Sequence, residues 1–228
     1  MFPNNEYKDF IEKKLSKLNL SNFKNFNYSP NPEILTGEIE VLTNYSQRKK
    51  NLELRKKMFE DKEDEQSLKQ LERLDQLYTL GEVNFDSVII IDFGSSLKSV
   101  LTSLVYTDVN QSKVLFTTVN QWFDESIFYE NTIKSLYYPS INYKEFKKYN
   151  KKYFSKFNQY PNEITILAYD ALGLVYYAWK KNNNINSIND FNFKNKIKGK
   201  IGTFSFKDKK VEQELEIYKV ENNKFTKF

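Results

Sequence analysis

Apolar residues return every three to four positions at Tyr7, Phe10, Ile11, Leu15 and Leu18, which predicts a helix over 4–18. Phe23, Phe26 and Tyr28 alternate imperfectly, as a short strand would, and Ser29-Pro30-Asn31-Pro32 is a stop signal. From there Ile34, Val41, Tyr45, Leu52 and Phe59 follow a heptad-like spacing with charges between them. This predicts one helix over 32–60, roughly 40 Å long. The acidic run Asp61 to Glu65 breaks it, and Leu68, Leu71, Leu74 and Tyr78 carry a second helix over 67–80, with Gly81 suited to the C′ position. The two together read as a charged helical hairpin. It is either a solvated arm packed on itself or an arm that docks on a partner.

The pattern changes at Val83. The β-branched run Val88-Ile89-Ile90-Ile91 within 85–91 is expected of a parallel strand buried on both faces. Asp92-Phe93-Gly94 ends it, Ser95 is a candidate N-cap, and a helix is expected over 97–106. Strands follow over 113–118 and 134–138, the latter stopped by Pro139, with 121–128 a loop or short helix between them. The helix over 143–157 carries an aromatic face of Tyr143, Phe146, Tyr149, Tyr153 and Phe157. In the next helix, 162–181, apolar residues nearly encircle the axis, so it wants burial on more than one side. A short helix is expected around 187–191, and 199–206 with 215–220 reads as a closing pair of strands. Strand alternating with helix over 83–139 argues for an α/β fold with a parallel, helix-covered sheet. Ligands on such sheets sit at the carboxyl ends of the strands, here Asp92 to Gly94, 118–122 and Pro139.

Composition narrows the chemistry. The 228 residues include no His, which excludes Ser-His-Asp and Cys-His nucleophile systems and imidazole zinc sites; the absence of Cys excludes thiolate sites and disulfides. An enzyme would have to work with Asp, Glu, Lys, Tyr or Ser. The net charge is +5, but the basic runs are interrupted, and the excess of Lys over Arg together with abundant Phe and Tyr reads as the bias of an AT-rich genome. Nucleic acid is not an expected partner. No apolar run approaches the ~20 residues of a membrane span. Met1 to Asn5 has neither the basic start nor the apolar core of a secretion signal.

Individual motifs stay below an enzyme signature. Asp92-Phe93-Gly94 shares its letters with a kinase tripeptide, yet the glycine-rich loop and the catalytic-loop motif are missing. Its physical reading is a strand end that turns through glycine into a helix, either simply capped or offering amides to an anion or polar ligand. Gly199-Lys200-Ile201-Gly202-Thr203 lacks the spacing of a phosphate loop, and Asp61 to Glu65 lacks the glycine and glutamate of a calcium loop. Asp124-Glu125 could serve as acid and base, but adjacent residues rarely converge on one substrate. No metal, cofactor or catalytic residue is expected.

From Leu71 onward the chain resembles the type 1 periplasmic-binding-protein superfamily. The likeness rests on the 83–94 strand end and on Tyr143, Phe146, Asn150, Tyr153 and Phe157 at their spacing. Pro161, Leu167-Ala168-Tyr169-Asp170-Ala171 and Gly199-x-x-Gly202-x-Phe204-x-Phe206 complete it. Within that group it is most similar to the penicillin-binding-protein activators. There the carrying segments are Leu71 to Leu74 before Thr79-Leu80-Gly81, Phe85 to Val88, Tyr106 to Val109 and Gln121 to Asp124. The charged hairpin also fits this subgroup better than it fits a transport receptor.

The resemblance implies a three-layer parallel-sheet lobe. It would occupy 1–142 with the hairpin inserted over 32–80, followed by helices over 143–198 that pack on a first lobe missing here, and closing strands over 199–228. It further implies a non-catalytic periplasmic protein that activates a class A penicillin-binding protein, a peptidoglycan synthase. The alternative is an extracytoplasmic receptor for an amino acid or similar small polar ligand. Tyr7, Phe93, Gly94, Asn120, Gln121 and Trp122 are the positions that would face the ligand cleft by this resemblance. Only Asp92 or Asp124 stands where it could hold an α-ammonium, which favours the activator reading.

Overall fold

The computed structural model describes residues 2–3, 7–18, 24–129, 133–207 and 210–228. It is a mixed α/β fold with a mostly parallel central sheet, and the chain divides into two compact units.

The first unit comprises Met1–Val119, Glu125–Tyr137 and Val220–Lys224. Its strand β1 (Phe2–Pro3) pairs in parallel with β2 (Asn27–Tyr28), and α1 (Tyr7–Leu15) runs on into a 3₁₀ turn at Ser16–Leu18. The expected helix over 32–60 is two helices, α2 (Pro32–Leu42) and α3 (Tyr45–Glu60). Thr43 closes α2, its hydroxyl donating back to the Ile39 carbonyl at 2.8 Å, and Asn44 takes the left-handed conformation at φ 49°. Asparagine tolerates that conformation, and the chain turns without losing its apolar spacing. The heptad also marked the wrong face of α2: Leu35 and Ile39 are buried, while Ile34 and Val41 are exposed. Helix α4 (Glu65–Asp75) starts at Asp64, whose carboxylate accepts from the Ser67 amide at 2.9 Å, and it ends five residues before the expected boundary at 80. It packs along α3, so the hairpin exists with shorter helices than expected.

Strand β3 (Ser87–Ile90) is followed by α5 (Gly94–Tyr106), β4 (Leu115–Thr118), the short α6 (Glu125–Phe128) and β5 (Leu136–Ser140). Strands β3, β4 and β5 run parallel, in register at Val88 with Phe116 and at Thr117 with Tyr137. With β9 (Glu216–Glu221) and β10 (Lys224–Lys227) the order of the sheet is β10-β9-β5-β4-β3. Among the described residues β3 therefore ends the order of this sheet. Val88 and Ile90 are buried but Ser87 and Ile89 are exposed, which corrects the expectation of a strand covered on both faces. Ser95 does not cap α5: Phe93 holds the N-cap position with no side-chain bond. Pro139 does not stop β5 but lies inside it, and its carbonyl accepts from the Gln121 amide at 3.2 Å.

The second unit comprises Asn120–Asp124, Tyr138–Lys219 and Phe225–Phe228. Helix α7 (Tyr143–Phe157) matches its expected bounds, with Asn142 accepting from the Glu145 amide at its start and Asn158 in the left-handed conformation at its end. Helix α8 (Glu163–Asn182) is capped by Asn162, and a 3₁₀ turn at Ile188–Phe191 is closed by Ser187 and Asp190, each bonding to the other's backbone. Strands β6 (Ile197–Lys198), β7 (Thr203–Lys207) and β8 (Lys210–Glu214) form a separate antiparallel sheet. The expected pairing of 199–206 with 215–220 is thus replaced. Strand β7 pairs with β8, whose polar sequence Lys-Val-Glu-Gln-Glu carries no clear alternation, and β9 joins the central sheet. Of the aromatic face of α7, Tyr149 is buried, Tyr143, Phe146 and Tyr153 are half-buried, and Phe157 is exposed.

Candidate functional site

The strand ends supply the first candidate. Where β3 finishes, Asp92 is buried; its carboxylate accepts from the Tyr28 hydroxyl at 2.6 Å and from the Phe93 amide at 2.8 Å. Burial, and then the Asp92 carboxylate, push the Tyr28 phenol well above its ordinary value, so it stays protonated and donating. Asp92 is thereby engaged in joining β2 to the end of β3. Phe93 is exposed, and Gly94 sits at φ 56° with open space where a Cβ would stand. Tyr7 is the first residue of α1; its side chain lies outside the described residues. These three expected cleft positions belong to the first unit.

Asn120, Gln121 and Trp122 belong to the second unit. Asn120 is exposed. Gln121 is buried, and its backbone is bonded on both sides of Pro139–Ser140: its amide to the Pro139 carbonyl, and its carbonyl from the Ser140 hydroxyl at 2.6 Å. Trp122 is half-buried, with its ring 6.3 Å from Phe146. The adjacent Phe123, not among the expected site residues, is the centre of an aromatic cluster. Its ring lies 4.5 Å from Tyr143, 4.9 Å from Tyr218, 5.2 Å from Phe225 and 5.3 Å from Phe146. Edge and tilted geometries of this kind contribute ~0.5–1.5 kcal/mol per pair beyond burial. The 121–124 segment is therefore anchored by Phe123, which leaves Asn120 and Trp122 as the members of that trio with side chains facing outward in part.

A polar network rims the cluster. Tyr218 donates to Glu216, and its oxygen accepts from the Tyr143 amide at 2.9 Å, at the start of α7. Glu216 also accepts from Lys227 at 2.8 Å and from Asn142 at 3.3 Å. Lys227 and then Tyr218 hold the Glu216 carboxyl below its usual range, whereas burial and then Glu216 push the Tyr218 phenol up to about 12. Both shifts favour a fixed structural bond at neutral pH over a proton in transit. A cleft of about 340 Å³ opens elsewhere in this unit, lined by Tyr177, Lys181, Phe193, Lys194 and Lys196 among others, with Lys181 Nζ 5.1 Å above the Phe193 ring. Sequence reading missed it because its residues come from the end of α8 and from an irregular segment with no periodic signal.

The helical arm of the first unit is the other candidate. Arg48 of α3 is buried, and its guanidinium donates to the Gly81 carbonyl at 3.1 Å, the Thr107 carbonyl at 3.0 Å, the Asp108 carbonyl at 2.8 Å and the Thr79 hydroxyl at 2.7 Å. The Leu80 amide returns a bond to the Arg48 carbonyl at 3.0 Å. One side chain thus ties α3 to the strap after α4 and to the end of α5. Further out, Leu54, Met58 and Leu68 are exposed among lysines and glutamates, and a groove of about 280 Å³ is lined by Phe59, Ser67, Gln70 and Arg73 among others.

Among the described residues no group of three Asp, Glu, His or Cys could hold a metal ion, and no helix is long and apolar enough to cross a membrane. No protein-family model matches the chain, and no curated protein matches it.

Proposed function

We propose that the protein is a non-catalytic binding module of the type 1 periplasmic-binding-protein kind. It acts in the periplasm as an activator of a peptidoglycan synthase, a class A penicillin-binding protein, and the α3–α4 arm is its docking element. The observation that carries this reading is the mounting of the arm. A buried Arg48 with four hydrogen-bond acceptors fixes α3 to the body, while Leu54, Met58 and Leu68 remain exposed toward solvent. Ordering a partner on a rigid arm costs less entropy than folding a loose one at the moment of contact. The parallel strand-helix-strand layering over β3 to β5 supports the superfamily likeness.

The test is binding of the full chain to the soluble part of a class A penicillin-binding protein, read by biolayer interferometry. Binding is expected, with Met58→Glu weakening it at least about tenfold, the loss of one well-packed apolar contact. No binding by the unaltered chain overturns the reading. The receptor alternative draws on the open space at Gly94 and the exposed Phe93 at a strand end. Against it stands Asp92, whose carboxylate is taken by Tyr28 and the Phe93 amide. A rise in melting temperature with a free amino acid would favour the receptor.

A further inference from the structure

The charge of the chain is unevenly placed. The second unit holds 17 lysines, no arginine and 9 carboxylates, a formal charge of +8, which leaves −3 on the first unit. Helix α7 alone sets Lys144, Lys147, Lys148, Lys151, Lys152 and Lys156 against one carboxylate, Glu145. In the sequence these lysines are interrupted runs, but the interruption is the helical repeat. At about 100° per residue all six fall on one half of α7, and all six are exposed. The other half carries the aromatic face, where Tyr149 is buried with its ring 5.5 Å from Tyr169 of α8. Glu145 is shared between Lys148 at 2.7 Å and Lys200 at 3.2 Å. Lys144, Lys151, Lys152 and Lys156 have no ion-pair partner among the described residues. Like charges one turn apart repel, so this half of the helix gains wherever negative charge is brought up to it.

At the carboxyl end of α7 the lysine half borders exposed rings. Phe157 is 57% exposed and Tyr160 72%. Phe154 lies 4.8 Å from Tyr160, and Tyr153 4.5 Å from Phe157. Lysines beside exposed aromatic rings suit the boundary between lipid headgroups and acyl chains, where an ammonium meets phosphate and an aromatic ring rests at headgroup depth. A nucleic-acid strand fits less well. Its bases need open ring faces, and these rings are taken up with one another; its phosphates are best gripped by the planar fork of arginine, which this unit lacks. A further protein domain fits less well again, since packing on this half would bury cations that have no carboxylates of their own. A diffuse negative plane, by contrast, matches a convex helix half covered in point charges.

We infer that the lysine half of α7 is a docking surface for an anionic lipid bilayer: the six lysines meet the headgroup phosphates, and Phe157 and Tyr160 rest in the headgroup layer beside them. Contact is peripheral and reversible, because its attraction is chiefly electrostatic and screened by salt. This stands apart from the proposed function, which uses the α3–α4 arm, so either can fail alone.

The experiment is co-sedimentation of the full chain with vesicles of mixed phosphatidylglycerol and phosphatidylcholine, and with vesicles of phosphatidylcholine alone. Binding is expected to the anionic vesicles and not to the neutral ones, with release at about 1 M salt, where the screening length is ~3 Å. Lys144→Gln, Lys151→Gln, Lys152→Gln and Lys156→Gln combined keep the helix propensity of α7, and an unaltered far-ultraviolet circular dichroism spectrum verifies the fold. This variant is expected to weaken binding on the order of a hundredfold. Lys13→Gln, Lys17→Gln, Lys50→Gln and Lys57→Gln combined remove the same charge from exposed positions of the first unit, and are expected to weaken it less than about fivefold. No binding of the unaltered chain to anionic vesicles overturns the inference. So does equal binding to neutral ones, and so does an equal loss in the two variants. Tighter binding to a single-stranded oligonucleotide than to anionic vesicles would assign the surface to nucleic acid and overturns it as well.

Discussion

At the scale of single residues, the Gly199 to Gly202 turn shows what a glycine can hold open. A Cβ on Gly199 would stand 2.6 Å from an Asp170 carboxylate oxygen and 2.7 Å from the Phe204 ring. That oxygen accepts from the Ile201 amide and the other oxygen of the same carboxylate from the Lys200 amide, which together bind the turn to α8. Gly199→Ala must displace that carboxylate, and it is expected to destabilise the protein by about 1–3 kcal/mol, measured as a lower urea midpoint. At Gly202 the nearest atom belongs to the flexible end of Gln213, so Gly202→Ala should cost less. The sequence marked Gly199 and Gly202 as a motif but gave no hint of Asp170 as their partner, thirty positions away. Phe123 was equally hidden. It directly follows two expected ligand positions, and only the packing of α7, β9 and β10, all distant in sequence, surrounds it with Tyr143, Tyr218 and Phe225.

At the scale of elements, the arm depends on one side chain. Arg48→Met keeps the length and the apolar stem of the residue but leaves the carbonyls of Gly81, Thr107 and Asp108 without their donor. Hydrogen bonds to a charged group are worth ~1.5–3 kcal/mol each when one partner is lost. A loss of about 3 kcal/mol for the set is expected, read by thermal unfolding as a fall of very roughly 10 °C for a chain of this size. Hydrogen exchange should rise first in α3 and α4. If exchange there stayed unchanged, the mounting assigned to Arg48 would be wrong. An arginine in the middle of a charged helix looks solvated in sequence, because periodicity reports apolar residues only. For the same reason the break at Asn44 was illegible: the heptad spacing continues across it while the backbone does not. Helices α7 and α8, by contrast, were readable to within a residue or two, since Asn142 and Asn162 cap them and asparagines close them in the left-handed conformation. The polar strand β8 was not readable, and its pairing with β7 displaced the expected one.

At the scale of the whole molecule, the absence of histidine shapes the response to pH. No side chain of ordinary pKa titrates between about pH 5 and 8, so stability should stay nearly level across that range. Below it, Glu216 is held down by Lys227, so its contribution is present above the ordinary value of 4.5 and is lost as pH falls through its depressed folded value. Above it, Tyr218 is raised from 10.0 to about 12, so its contribution is intact below pH 10 and declines as pH climbs toward 12. Urea unfolding from pH 3 to 12 checks this, and in Tyr218→Phe the alkaline decline should be shallower. A steep change between pH 6 and 7 would contradict it. The α/β class was legible in the strand-helix alternation, whereas sheet order was not, because no local pattern tells an edge strand from a central one. The β3 segment has a price during folding. Before the sheet assembles, the β-branched run Val88-Ile89-Ile90-Ile91 is exposed in the unfolded chain, between the negative charges of Asp86 and Asp92. Until its neighbours assemble, this stretch can add to its counterpart in another chain, and the two aspartates are the guard against it. Renaturation from denaturant is therefore expected to lose yield to aggregation as protein concentration rises.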